Sequence, residues 1–261
     1  MEAKETGRIM RNIRVIPRLD IKGPNVIKGV HLECLKIVGG PEEMAAKYYN
    51  DGADELLYMD IVASLYGRNN LVDIVEKVSK HIFIPLTVGG GVRSLEDIEH
   101  LLKAGADKVS MNSWVIKHPD FINDAVRSFG SQCIVGSIEA KKKKDGSWEA
   151  LYNNGREISG KDAVEWAKEL AGRGAGELLV TSIDREGTLS GYDCELIALI
   201  SGSVNISVIA SGGAGSLDDI RDVVLCGRAD AVSIAHLLHY NKLSINEIKG
   251  HLKESIEVHA K

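Results

Sequence analysis

Hydrophobic positions along this chain follow two periods that take turns. Short, nearly continuous runs of aliphatic and β-branched residues predict strands over 13–21, 55–61, 82–88, 108–112, 133–139, 177–182, 208–211 and 231–235. Between them, apolar residues recur every three or four positions, which predicts helices over 42–50, 71–79, 95–104, 121–129, 163–171, 194–201, 217–226 and 245–259. Strands that are apolar on both faces suit a parallel sheet covered by helices, because such strands need burial on each side. Eight strand–helix pairs fit a closed (β/α)8 TIM barrel better than an open doubly wound sheet. No linker rich in Pro, Gly or Ser divides them, so residues 13–261 read as one barrel behind an N-terminal extension, residues 1–12.

The chain also repeats itself. Gly52-Ala53-Asp54-Glu55-Leu56-Leu57 returns as Gly174-Ala175-Gly176-Glu177-Leu178-Leu179, and Val88-Gly89-Gly90-Gly91 returns as Ser211-Gly212-Gly213-Ala214. Ala106-Asp107-Lys108-Val109-Ser110 returns as Ala229-Asp230-Ala231-Val232-Ser233. The offsets are 122, 123 and 123 residues, far longer than a solenoid period. They divide the barrel into two related halves, about 13–130 and 131–261. The rhythm breaks at 141–158, where Asp145-Gly146 between two short extended runs predicts a hairpin. The four lysines before it, Lys141 to Lys144, read as a solvated face.

Composition narrows the function classes. A net charge of −5 argues against a nucleic-acid partner held by overall charge. No apolar run approaches the roughly 20 residues of a membrane span, and the charged first dozen residues do not form a secretory signal. Cys34, Cys133, Cys194 and Cys226 are scattered without a CxxC pair, as expected of reduced thiols in a cytoplasmic protein. Cys133 falls in an expected buried strand and reads as packing. Twenty-seven glycines with only 5% aromatics point to an aliphatic core and tight loops.

Chemistry in such a barrel sits where strands end. The repeat sets Asp20 opposite Glu139, each expected at a strand end and followed two positions later by a lysine. Two carboxylates there serve as an acid–base pair, or else cap loops and pair with Lys22 and Lys141. The turns Gly89-Gly90-Gly91 and Gly212-Gly213 each link a strand to a helix, where bare backbone lets N–H groups approach an anion. One in each half suggests an elongated ligand with a phosphate at both ends; two tight ligand-free turns are the alternative. Gly187 adds another permissive turn. His236 and His239 lack a third ligand at metal spacing, so a zinc site is not expected there. Trp114 either lines the mouth or packs beneath a helix.

In combination these segments resemble the cyclase subunit of imidazole glycerol phosphate synthase, of histidine biosynthesis. The resemblance runs from about Arg14 to Tyr240. It rests on Leu19-Asp20-Ile21-Lys22, Val26-Ile27-Lys28-Gly29-Val30, Pro85-Leu86-Thr87-Val88-Gly89-Gly90-Gly91, Thr181-Ser182-Ile183-Asp184 and Val208-Ile209-Ala210-Ser211-Gly212-Gly213-Ala214-Gly215, besides the repeated motifs above. It implies a lyase that takes ammonia from a glutaminase subunit, as a heterodimer, with no metal or redox cofactor. The ammonia and a bisphosphate formimino-ribonucleotide become imidazole glycerol phosphate and aminoimidazole carboxamide ribonucleotide. The resemblance puts the acid–base work on Asp20 and Glu139, with Lys28, Thr181 and Ser211 positioning substrate. It places phosphates at Gly91, Asn112 and Ser113, and at Gly187, Gly213, Ala235 and His236. It makes Arg14, Glu55, Lys108 and Glu177 the ring that guards the ammonia entrance.

Four positions depart from the family pattern. Glu139 replaces an aspartate, Arg18 a cysteine and Glu186 an aspartate, and His236 stands where a small hydroxyl residue holds phosphate. A protonated imidazole at 236 would do the same work. These departures keep a second reading open: a paralogue that conducts ammonia to another acceptor, such as a surface-polysaccharide sugar. A barrel that only activates a glutaminase, or an isomerase using the same carboxylates, are weaker readings.

Overall fold

The computed structural model describes residues 12–30, 33–61 and 71–259. Its strands are β1 (Arg14–Lys22), β2 (Asn25–Val30), β3 (Glu33–Gly39), β4 (Leu56–Asp60), β5 (Leu86–Gly89), β6 (Lys108–Met111), β7 (Ile134–Lys142), β8 (Trp148–Tyr152), β9 (Glu157–Asp162), β10 (Glu177–Ser182), β11 (Ser207–Ser211) and β12 (Ala231–Ile234). Eight of them pair in parallel in the order β10-β11-β12-β1-β4-β5-β6-β7, and β10 pairs with β7 to close the ring. This is the expected (β/α)8 barrel, with four barrel strands from each half of the chain. The first eleven residues of the expected N-terminal extension lie outside the described residues.

Side chains alternate across each strand, and the two faces have different jobs. Outward residues such as Val15, Leu19, Leu56, Leu178 and Val232 meet the helices in the larger core. Inward residues Ile16, Leu57, Val135, Leu179, Ile209 and Ala231 fill the barrel axis. The same inward face of β1 carries Arg14 below that apolar layer and Arg18 and Asp20 above it. Thus period two by itself stacks a charged base, a dry middle and a polar mouth.

The helices start where side chains satisfy their free N–H groups. Ser94 and Asp97 form a capping box ahead of the helix Leu95–Ala104, and Ser216 caps Leu217–Leu225 in the other half. Each such cap contributes ~1 kcal/mol, and each fixes the helix directly after a glycine-rich turn.

The expected helices 95–104, 121–129 and 245–259 and the strand 177–182 match in full. β5 instead starts at Leu86, four residues later than its apolar run suggested, because Pro85 has no N–H to give the ladder. Cys133 ends a 3-10 turn, Ser131–Cys133, outside the strand expected to bury it, and is half-buried. Cys133, Cys194 and Cys226 are free thiols; the side chain of Cys34 lies outside the described residues. The Asp145-Gly146 hairpin is present, pairing β7 with β8, and Lys141 to Lys144 are exposed. Two features carried no periodic signal: the β2–β3 hairpin in the first loop, and the short helices Ser113–Lys117 and His236–His239. None of the described helices is long and apolar enough to cross a membrane.

Candidate active site

The mouth of the barrel is organised around Arg18. Arg18 is buried, 5% exposed. Nε donates to Oδ1 of Asp20 at 2.8 Å, and Nη1 donates to Oγ1 of Thr181 at 3.2 Å and Oγ of Ser211 at 3.3 Å. The two hydroxyls are neighbours because β10 and β11 pair Thr181 with Ser211. Burial alone would raise the carboxyl pKa of Asp20. The charge of Arg18, and then that of Lys28, outweighs it and holds Asp20 below the usual carboxylate range.

Glu139 lies across the mouth on β7, in register with Thr181 of β10. Its Oε2 accepts the N–H of Gly155 at 2.7 Å, from the turn between β8 and β9. Burial pushes its pKa up to about 7; the Gly155 hydrogen bond and Arg18 oppose the rise, and the negative charge of Asp20 adds to it. The structure therefore brings the two carboxylates into one electrostatic environment and drives them apart. Neither uses the lysine two residues on: Lys22 and Lys141 are exposed.

Two cavities flank the pair. The first, about 270 Å³, is lined by Gly90, Gly91, Asn112, Ser113, Glu139 and Asn153, among others. Gly90 has φ +108°, and a Cβ there would lie 2.3 Å from the carbonyl oxygen of Asp60, so only glycine fits. Ser110 Oγ and Asn112 Oδ1 are buried there with no hydrogen-bond partner. Groups of this kind are rare unless a ligand or water completes them. Trp114 lines this cavity and lies 4.1 Å from the ring of His118.

The second cavity, about 20 Å³, is lined by Lys28, Glu186, Gly187, Ser211, Gly213, Ala235 and His236, among others. Gly213 repeats Gly90, with φ +109° and 2.1 Å between a notional Cβ and the Gly191 oxygen. Ser233 Oγ, the repeat partner of Ser110, is again buried and unpartnered. Lys28 and Glu186 form a buried ion pair across this cavity. Burial, then Lys242 and Lys28, lower the pKa of His236. The short helices that border the cavities begin in matching backbone, Asn112 at φ −130°, ψ −78° and Ala235 at φ −119°, ψ −71°.

At the opposite end of the barrel, Arg14, Glu55, Lys108 and Glu177 close a ring of alternating charge. Arg14 meets Glu55 at 2.9 Å and also meets Glu177, while Lys108 reaches Glu55 at 2.9 Å and Glu177 at 2.8 Å. Salt bridges to Arg14 and Lys108 outweigh burial and hold Glu177 ionised. Among the described residues, no group of three His, Cys, Asp or Glu side chains is arranged to hold a metal ion.

Sequence reading missed Ser110, Ser233 and Asn153 as site residues, and treated Arg18 only as a departure from a pattern. The repeat carried a signal for the two serines, since Ser110 and Ser233 close matching motifs. Asn153 sits at φ +53° in a hairpin turn, and its backbone N–H donates to Ser113 Oγ at 2.9 Å, a contact no local pattern announces.

Comparison with known proteins agrees with this architecture. Residues 14–244 match the model of a family described as histidine biosynthesis protein. The chain is 58% identical over 212 residues to the imidazole glycerol phosphate synthase subunit HisF of Legionella pneumophila, covering 81% of this chain and all of that one. It is 49% identical over 241 residues to the same-named subunit of Alkaliphilus metalliredigens, covering 92% and 96% of the two chains. The Nostoc subunit of that name is 49% identical over 249 residues, covering 94% and 96%. With a shared barrel, a match across nearly its whole length and relatives of one name, this chain belongs to the histidine biosynthesis protein family, among its imidazole glycerol phosphate synthase HisF subunits.

Proposed function

We propose that this chain is the cyclase subunit of imidazole glycerol phosphate synthase, working with ammonia supplied by a glutaminase partner. The reading rests above all on one observation: Asp20 and Glu139 face one mouth with proton affinities displaced in opposite directions. Condensing ammonia with a ketone carbonyl requires a proton to be taken from nitrogen and another given to the departing oxygen. A carboxylate that stays ionised suits the first task, and a carboxyl that titrates near neutrality suits the second. Ammonia enters uncharged, so the axial apolar layer of Ile16, Leu57, Val135, Leu179 and Ile209 admits it while opposing ions.

The two glycine-lined cavities suit a substrate with a phosphate at each end, held by Gly91, Asn112 and Ser113 on one side and by Gly187, Gly213, Ala235 and His236 on the other. Thr181 and Ser211 then lie beneath the reacting centre, and Lys28 covers it from the first loop. The second cavity needs Lys28 to exchange Glu186 for phosphate before it is large enough. The charged ring of Arg14, Glu55, Lys108 and Glu177 marks the entrance, and the glutaminase docks over it. Ring closure is favoured over amidation of a different acceptor, because the relatives that match along the whole barrel carry the synthase name.

The test is turnover by the purified chain, given the bisphosphate formimino-ribonucleotide and a high ammonium concentration near pH 8, which removes the need for a glutaminase. Formation of both products is expected, and Asp20→Asn is expected to reduce it at least about 10²-fold. A folded protein that binds inorganic phosphate yet forms neither product would overturn the reading.

A further inference from the structure

Among the described residues, Arg18 is the only one that lines both cavities. A ligand that runs from one to the other passes over its guanidinium. Arg18 also touches Asp20 directly and makes no hydrogen bond to Glu139, whose Oε2 is held by the Gly155 N–H instead. This asymmetry has a chemical consequence for a pair of carboxylates that share one mouth.

We propose that Arg18 is a positioning residue that assigns the two carboxylates their roles, holding Asp20 as the charged partner and leaving Glu139 to carry the proton. The inference rests on the acid–base reading above and deepens it, since that reading does not say what divides the labour between two similar groups. A general base must be ionised and a general acid protonated at the same pH, and two equivalent carboxylates would compete for a single proton.

The other charges around the pair do not perform this task. Lys28 acts on Asp20 from β2, but it is committed to an ion pair with Glu186. His239 faces Asp20 from the helix His236–His239; burial brings its pKa down to about 4, so at neutral pH it carries no charge. Its Nδ1 is held by the hydroxyl of Tyr48 at 2.6 Å. Glu186 acts on Arg18 and adds only negative charge. On the Glu139 side, Asn112 and the Gly155 N–H are neutral and Arg18 acts through space, while Asp60, Arg93 and Lys117 line the same cavity. Arg18 is thus the cation in contact with Asp20, and its geometry shows how that charge is fixed in place. The planar fork reaches Asp20 with Nε while Nη1 spans the hydroxyls of Thr181 and Ser211, so the charge is fixed in hydrogen-bond contact with Asp20 and acts on Glu139 only through space. A lysine would supply charge without that fork.

Carbon-13 NMR titration of the side-chain carboxyls in the ligand-free full chain tests the assignment and needs no substrate, so it stands apart from cyclase turnover. In the wild-type protein, Asp20 is expected to remain ionised at pH 6 while Glu139 is protonated; the reverse order overturns the proposal without any variant. In Arg18→Met, the Asp20 midpoint is expected to rise by about one pH unit or more, a tenfold change in proton affinity. In Arg18→Lys, Asp20 is expected to stay ionised at pH 6. A folded Arg18→Met protein whose Asp20 midpoint matches wild type overturns the proposal. With turnover in hand, the acidic limb of the kcat/KM profile should move up with the same midpoint in Arg18→Met and stay in Arg18→Lys; a profile that only scales down would reduce Arg18 to packing.

Discussion

Lys28, on β2 of the first loop, and Glu186, in the turn after β10, form a buried ion pair that joins one half of the barrel to the glycine-rich turn of the other. Both side chains are about 5–6% exposed. The pair narrows the second cavity to about 20 Å³ and puts a carboxylate where a phosphate is expected.

Glu186→Gln therefore uncovers a buried ammonium. Breaking a buried pair from one side costs about 3–5 kcal/mol, because the remaining charge is left uncompensated. Thermal denaturation should place the variant several degrees below wild type in phosphate-free buffer. Adding inorganic phosphate should recover more of that loss than it adds to the wild-type Tm, since phosphate takes the place of the missing carboxylate. Equal phosphate shifts in the two proteins would separate Lys28 from phosphate binding.

Glu139 gives the molecule a pH dependence opposite in sign to that of a paired carboxylate. Its folded pKa, about 7, lies above that of the unfolded chain. Below an ordinary glutamate value both states are protonated and nothing is lost. Between that value and about 7 the unfolded chain releases its proton first, so stability falls as pH rises, by about 3 kcal/mol at most. Above about 7 the loss is complete. Glu139→Gln keeps an acceptor for the Gly155 N–H and removes the titration. Urea unfolding should then find the variant more stable than wild type at pH 8, with the gain vanishing near pH 4.

Restoring the family's aspartate at this position looks, from sequence, like a repair. The structure argues the reverse. Glu139 Oε2 is anchored at 2.7 Å to the Gly155 N–H, and a side chain shorter by one methylene retreats from that donor by over ~1 Å. Glu139→Asp should lower kcat by about tenfold or more while leaving inorganic phosphate binding unchanged. An increase in kcat would mean that the Gly155 contact is incidental.

Lys108→Ala opens the ring at the base of the barrel and leaves Glu55 and Glu177 sharing Arg14. It should destabilise the fold by about 1–3 kcal/mol, because the carboxylates of Glu55 and Glu177 are buried while Lys108 itself is half-buried. Turnover with free ammonium, assayed where the variant is folded, should stay within about twofold of wild type. Glutamine-driven turnover with a glutaminase partner should fall much further. Equal loss in both assays would place Lys108 outside ammonia transfer.

Much of this was legible in the residues themselves. Strand and helix periods are local properties, so the eight βα units can be read off without knowing what they pack against, and a repeat of 123 residues pairs Gly90 with Gly213 and Ser110 with Ser233. The charged ring came only from the family resemblance: Arg14, Lys108 and Glu177 open β1, β6 and β10, Glu55 directly precedes β4, and the closed barrel brings the four together. Short elements were not legible, because Ser113–Lys117 and His236–His239 span too few turns to show a period.

What each charge does was decided only by tertiary structure. Asp20 is followed by Lys22, yet its partner is Arg18: period two puts all three on one face of β1, but Arg18 lies deeper, next to the apolar layer, while Lys22 ends the strand in solvent. Arg18 reaches Thr181 across 163 residues and Lys28 reaches Glu186 across 158, and neither contact exists until the ring of strands closes. Proton affinity follows from burial and from neighbours within a few ångströms. Two carboxylates that look alike in the sequence therefore become one that stays charged and one that titrates near neutrality.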